Sequence, residues 1–114
     1  MELVVTEIGS NVTCVHLAGR LDAPGADQID LRFTAAVVTA GRDVLVDLSG
    51  VSFVASMGIR LLIAAARGLA VKGRRLVMYG AQPLVQDVFE QAAIDQLIPM
   101  APTQAEALAL LQAG

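Results

Sequence analysis

Ser56 is the residue of this chain best placed to do chemistry. It stands in the run Asp47-Leu48-Ser49-Gly50-Val51-Ser52-Phe53-Val54-Ala55-Ser56-Met57-Gly58-Ile59. A buried-type strand ends in that run, the chain turns, and the serine opens an amphipathic helix. Two roles fit a hydroxyl there. It can cap the helix, a role whose loss costs about 1 kcal/mol. It can also carry a phosphate, because the helix dipole and the free N–H groups of the first turn favour an anion. Arg60 lies four residues further on, within reach of the same helix face, where a guanidinium would pair with that phosphate.

Other chemistries have less to work with. Acyl transfer needs a nucleophile, a base and an orienting acid. The single histidine, His16, lies between Val15 and Leu17 and reads as a solvated strand residue. Cys14 reads as a small buried hydrophobe, since nothing near it in sequence would lower its pKa. One cysteine allows no internal disulfide, and one cysteine with one histidine makes a poor zinc site. Gly68 and Gly73 have the glycine spacing of a phosphate loop, but Arg74-Arg75 follow and the pair closes a helix instead of opening one. The dinucleotide pattern G-x-G-x-x-G is absent. The chain is therefore expected to be no enzyme and to hold neither metal nor cofactor.

Composition narrows the class further. The 114 residues are 55% hydrophobic and 17% charged, which excludes intrinsic disorder and leaves ample material for one core. The formal charge of −3 argues against nucleic-acid binding, which needs a basic surface. Mean hydropathy is high at +0.63. Yet the longest clear central apolar run, Leu61 to Ala66, is bracketed by Arg60 and Arg67, and a membrane span needs roughly 20 such residues. The start, Met1-Glu2-Leu3, carries no signal-peptide pattern. A soluble, cytoplasmic protein without a membrane span is expected.

The elements that must position Ser56 follow from periodicity. Glu2–Ile8 and Val12–Ala18 read as a hairpin around Gly9-Ser10-Asn11, with Thr13, Val15 and Leu17 on one face. Gly19–Gly25 reads as a loop. A helix is expected from Ala26, with Ile29, Phe33, Val37 and Ala40 on one stripe and a stop at Gly41. Asp43–Leu48 reads as a buried strand ending in a turn at Ser49-Gly50. Ser56 to about Lys72 reads as a helix packed through Ile59, Leu62, Ile63, Ala66 and Leu69, and Leu76–Tyr79 as a strand. Pro83 suits the first turn of a helix running to about Ala93, with Leu84, Val88 and Ala92 on one stripe. Leu97–Met100 reads as a last strand. Thr103 and Glu106 have the capping-box spacing ahead of a helix over Ala105 to Gln112. The order β-β-α-β-α-β-α-β-α predicts one α/β domain over residues 1–114, with parallel neighbours and one antiparallel hairpin.

In length and element order the whole chain resembles the STAS domain, and specifically the stand-alone bacterial anti-sigma factor antagonists. Gly19-Arg20-Leu21-Asp22 resembles the family's G-x-L-D. Asp47-Leu48-Ser49-Gly50-Val51-Ser52-Phe53 resembles its D-L-S-x-V-x-F, and Ala55-Ser56-Met57-Gly58-Ile59 its D-S-[ST]-G-[LI]. A weaker echo runs from Pro83-Leu84-Val85 through Phe89 to Ala93-Ile94. The chain departs from the pattern at Ala55, where the family usually has Asp. It departs again at Met57, where a second Ser or Thr is common, and at Arg60, where a small residue is common.

The resemblance implies a mixed central sheet with helices packed mainly on one face. It implies that Ser56 is phosphorylated by a partner kinase, and that Asp22, Ala55, Met57, Gly58 and Arg60 surround it in partner binding. The unphosphorylated form would bind an anti-sigma factor, itself a serine protein kinase, and so free a sigma factor. Phosphorylation would reverse that binding, and a serine phosphatase would reset it. The contact surface would include Val54, Ala55, Met57 and the neighbours of Ile59, with Met57 either exposed in it or tucked into the core. The alternative within the family is a constitutive scaffold subunit, as in lipid-transport or stressosome-like assemblies, which uses no phosphate.

Overall fold

The computed structural model describes residues 1–39 and 41–112. Its sheet runs β1 (Glu2–Ile8), β2 (Val12–Leu21), β3 (Asp43–Val54), β4 (Leu76–Tyr79) and β5 (Met100–Ala101), in that spatial order. β1 and β2 form the antiparallel hairpin, and β2 through β5 are parallel. Three crossover helices join the parallel strands: α1 (Ala23–Thr34), α2 (Ser56–Val71) and α3 (Pro83–Gln91). A final helix, α4 (Gln104–Gln112), follows β5.

The strand order explains where the helices sit. Each crossover steps one strand in the same direction. Right-handed connections therefore place α1, α2 and α3 on the same face. Residues from all three helices share one core with Val15, Leu17, Val44, Val46 and Met78. The helix α4, which follows the edge strand β5, takes the opposite face. There Ala107 and Leu111 cover Val12, Cys14, Leu45, Val77 and Tyr79. The expected mixed sheet with helices mainly on one face is thus what the chain forms.

The boundaries differ from the sequence reading in ways that matter for the site. Ser49-Gly50 is no turn, because β3 continues to Val54. The inward residues of β3 are Val44, Val46 and Leu48, then Val51 and Val54. That change in spacing reflects two register shifts against β2, as extra residues enter between the pairs His16↔Asp47 and Ala18↔Gly50 and again between Gly19↔Val51 and Arg20↔Phe53. Gly50 is needed for close approach: a Cβ there would stand 2.9 Å from that of Ala18. Likewise β2 runs on to Leu21, and α1 begins at Ala23 with Pro24 in its first turn, where the sequence suggested a loop up to Gly25.

Ile29, Phe33 and Val37 are fully buried as the stripe requires, although Val37 lies in a π-helical turn, Ala35–Thr39, that prolongs α1. Ala40, on the same stripe, lies outside the described residues. On α2 the inner row is Leu61, Leu62, Ala65 and Leu69, with Ile59, Ile63 and Ala66 half-buried beside it. On α3 the buried residues are Val85 and Phe89. Leu84 is 60% exposed, so the predicted stripe was turned by one position. The last strand is Met100–Ala101, preceded by a 3₁₀ turn at Ile94–Gln96. The Thr103 hydroxyl caps α4 as expected, accepting the Glu106 amide at 3.2 Å.

Candidate partner-binding site

β2 and β3 end together. Leu21 pairs with Val54, so the chain leaves both strands at the same level of the sheet. The helices α1 and α2 then start side by side, α1 after Asp22 and α2 after Ala55. The Ala55 amide donates to the Leu21 carbonyl at 3.0 Å and ties the two starts together.

Ser56 is exposed and occupies the first helical position of α2. The capping residue is Ala55, in extended conformation, and no side chain caps the helix. The reading of Ser56 as a cap is therefore corrected, and its hydroxyl is not committed to that role. The first turn of α2 also holds no acidic residue. Free amides and an uncompensated dipole end surround the hydroxyl, an environment that favours an anion.

The neighbours divide into outward and inward residues. Met57 is 46% exposed, which settles its two readings in favour of the surface. Val54 is 3% exposed and belongs to the core, so it drops out of the proposed contact surface. Gly58 is buried: a Cβ there would meet Leu21 Cγ and the Leu21 carbonyl oxygen, both at 2.5 Å. It is the glycine that lets α2 pack against the end of β2.

Asp22 has both carboxylate oxygens engaged. Oδ1 accepts the Gly25 amide at 2.9 Å and so caps α1, and Oδ2 meets Arg20 Nε at 3.3 Å. The Gly25 amide, with help from Arg20, holds the carboxyl below its ordinary pKa. Arg20 in turn lies over the Phe53 ring, 4.2 Å from its centroid.

Arg60 is exposed and lines a hollow of about 240 Å³ between α1 and α2, together with Ala23, Asp27, Asp30, Met57 and Leu61. Among the described residues Arg60 enters no ion pair. Ala55, Ser56, Met57 and Arg60 thus lie along one outer edge at the start of α2, with Gly58 packed beneath it against Leu21 and Asp22 capping the neighbouring α1.

Sequence reasoning missed a second polar cluster, on the sheet face beside α4. His16 is not simply solvated. It is half-buried, with Nδ1 2.7 Å from Asp47 Oδ2 and Nε2 3.0 Å from Thr6 Oγ1. The three side chains cross three adjacent strands, because Thr6 and Asp47 flank His16 only once β1 and β3 pair with β2. Burial raises the Asp47 pKa, but the Ser49 amide and His16 outweigh it and leave the carboxyl below its ordinary range. The cluster works as a strap across the sheet. Beside it, Cys14 is fully buried with its thiol 3.6 Å from the Tyr79 hydroxyl, and burial pushes both groups up in pKa. Cys14 is the small buried hydrophobe its sequence context implied. Among the described residues no cluster of side chains could hold a metal ion, and no helix is long and apolar enough to cross a membrane.

The five-stranded mixed sheet with its crossover helices has counterparts among known proteins. The Mlab, STAS domain family model matches residues 4–99. The chain belongs to the STAS domain family. A Bordetella bronchiseptica protein assigned by name to the anti-sigma factor antagonists, BtrV, is 28% identical over 110 residues, spanning 96% of this chain and 93% of its own. An anti-sigma-factor antagonist (STAS) domain protein from Planctomyces limnophilus has a structure that superposes with a TM-score of 0.86 at 28% identity, covering 96% of this chain and 97% of that one. The Bacillus cell-fate determinant SpoIIAA, in its phosphorylated form, superposes with a TM-score of 0.69, covering 95% of this chain and 97% of that one. At 20% identity it shares the fold. This STAS domain therefore has the architecture of the proteins named anti-sigma factor antagonists.

Proposed function

We propose that this STAS domain is an anti-sigma factor antagonist that works by partner switching at Ser56. Unphosphorylated, it binds an anti-sigma factor that is also a serine kinase, through the edge formed by Ala55, Ser56, Met57 and Arg60, and a sigma factor is released. Phosphorylation of Ser56 by that partner breaks the complex, and a serine phosphatase restores it. The protein itself catalyses nothing and acts in the cytoplasm. The observation that carries this reading is the exposed Ser56 hydroxyl at the start of α2, with Ala55 and not the serine as the cap.

The physics needs no rearrangement of the fold. A phosphoserine carries about −1.5 to −2 charges. At the start of α2 the amides and the dipole stabilise that charge in the free protein. In a complex the same charge enters an apolar contact around Met57 and must be desolvated. A penalty of about 2.8 kcal/mol weakens binding about a hundredfold.

The test has two parts. Phosphorylation in the native host is mapped by mass spectrometry under growth and stress, and the partner that coprecipitates is titrated calorimetrically against Ser56→Ala and Ser56→Asp. Expected are condition-dependent phosphate on Ser56, retained affinity for Ser56→Ala and a large loss for Ser56→Asp. Equal binding by wild type and both variants would overturn the switch. A second reading, a constitutive scaffold subunit, draws support from Ala55, which replaces the acidic neighbour usual beside the phosphosite. It predicts unmodified Ser56 in every condition.

A further inference from the structure

The far end of α2 carries a second surface that the switch does not use. Two adjoining hollows of about 150 and 190 Å³ share Ala66, Ala70 and Leu97 in their linings, so together they form one groove between α2 and the Leu97–Pro99 segment. Its floor is apolar and low. Ala66 and Ala70 let another backbone approach closely, and Leu97, 61% exposed, forms a wall.

The rim is basic, in a chain whose net charge is −3. Four of the eight lysines and arginines, Arg67, Lys72, Arg74 and Arg75, lie between positions 67 and 75. Two are committed elsewhere. Lys72 Nζ donates to the Val38 carbonyl at 2.8 Å, and Arg75 Nη1 to the Leu110 carbonyl at 3.0 Å. Arg67 and Arg74 are exposed, line the groove and enter no ion pair among the described residues. No acidic side chain lines either hollow.

We propose that this groove docks an acidic amphipathic helix of a partner protein. Its apolar stripe would lie over Ala66 and Ala70 against Leu97, and carboxylates flanking that stripe would meet Arg67 and Arg74. Charge complementarity selects this occupant. Arg67 and Arg74 call for carboxylates, the apolar floor calls for an apolar stripe between them, and a flat anionic bilayer presents no ridge to fill a groove. Arg67 stands about 16 Å along α2 from Ser56, at 1.5 Å of rise per residue. Occupation of the groove is therefore compatible with either state of the serine, and this proposal stands apart from the switch.

The test titrates the full chain, ¹⁵N-labelled, with a synthetic helical peptide bearing Leu at i, i+3, i+4 and i+7 and Glu on both flanks. Amide shifts are expected in residues 63–75 and 94–99. The double variant R67Q/R74Q, whose replaced side chains are exposed and whose fold is checked by circular dichroism, should bind at least about tenfold more weakly. Added salt should weaken the wild-type complex, and Ser56→Asp should bind as wild type does. No shift at millimolar peptide, shifts confined to another surface, or undiminished binding by R67Q/R74Q would overturn the proposal. It is also overturned by sedimentation of the wild type as a dimer that Leu97→Gln dissociates, or by wild-type binding to phosphatidylglycerol vesicles that the peptide fails to displace.

Discussion

Gly58 and Leu21 occupy the same small volume: the space where a Gly58 Cβ would stand lies 2.5 Å from Leu21 Cγ and from the Leu21 carbonyl oxygen. One of these contacts is backbone and cannot swing away. Gly58→Ala must push α2 off the end of β2, and overpacking of this kind costs about 1–3 kcal/mol. Thermal unfolding of Gly58→Ala should show a melting temperature lower by about 4 °C or more. An unchanged melting temperature would mean that α2 slides freely at its start. The glycine two residues after Ser56 is thus explained by packing, whatever else it does in a complex.

Ala55 sets up the opposite effect. It is an uncapped helix start, and Asp at that position would accept the amide of the second or third helical residue. Replacing an apolar cap by Asp is worth about 0.5–2 kcal/mol. Ala55→Asp is therefore expected to raise the melting temperature by a few degrees, apart from any effect of an acidic residue beside Ser56 on phosphorylation. Scanning calorimetry checks the first effect. Phosphate incorporation by the proposed partner kinase checks whether Ala55→Asp also speeds modification, and a rate equal to wild type would make Ala55 a neutral replacement.

Two carboxylates shape the acid limb of stability. Asp22 and Asp47 both have folded-state pKa values below the ordinary one of 3.8. Between the folded and unfolded values the unfolded chain binds more protons, so stability rises with pH there. Their contribution is complete above the unfolded carboxylate pKa and is lost as pH falls through the depressed folded values. Urea unfolding across that range should show wild-type stability dropping below about pH 4. Asp47→Asn, which removes one of the two titrating groups, should be less stable at neutral pH and show a shallower drop. The same slope in wild type and Asp47→Asn would place the acid sensitivity elsewhere.

The parts of this molecule legible in the sequence are those set by local period and composition. Ser56, its helix and the alternation of strands and helices can be read along the chain, because apolar spacing and Gly73 mark them directly. What sequence hides is pairing. His16 looks solitary until β1 brings Thr6 and β3 brings Asp47 alongside, contacts separated by 10 and 31 residues. Ser49-Gly50 has turn chemistry, yet β3 runs through it because the register shifts against Ala18 absorb the extra residues. Val54 looked like interface because it stands beside the serine in sequence. The Leu21↔Val54 pairing carries it inward instead.

Met57 separates binding from folding most cleanly. Its side chain is 46% exposed and points out beside Ser56 over the hollow shared with Arg60, Asp27 and Asp30. Met57→Glu therefore leaves the core untouched, and surface changes of this kind stay within about ±0.5 kcal/mol. A negative charge in the first turn of α2 is also favourable, by about 0.3–1 kcal/mol. The variant should unfold at or slightly above the wild-type temperature. In a complex built on this edge the same charge must lose its water against an apolar surface, one residue from where the phosphate would sit. Affinity for the proposed anti-sigma partner should fall at least about tenfold, measured by calorimetry on protein shown to be folded. If Met57→Glu binds as wild type while Ser56→Asp does not, the contact avoids the hollow that Met57 shares with Arg60 and α1 and lies on the other side of the serine. Loss of binding together with loss of the fold would mean that Met57 packs inward.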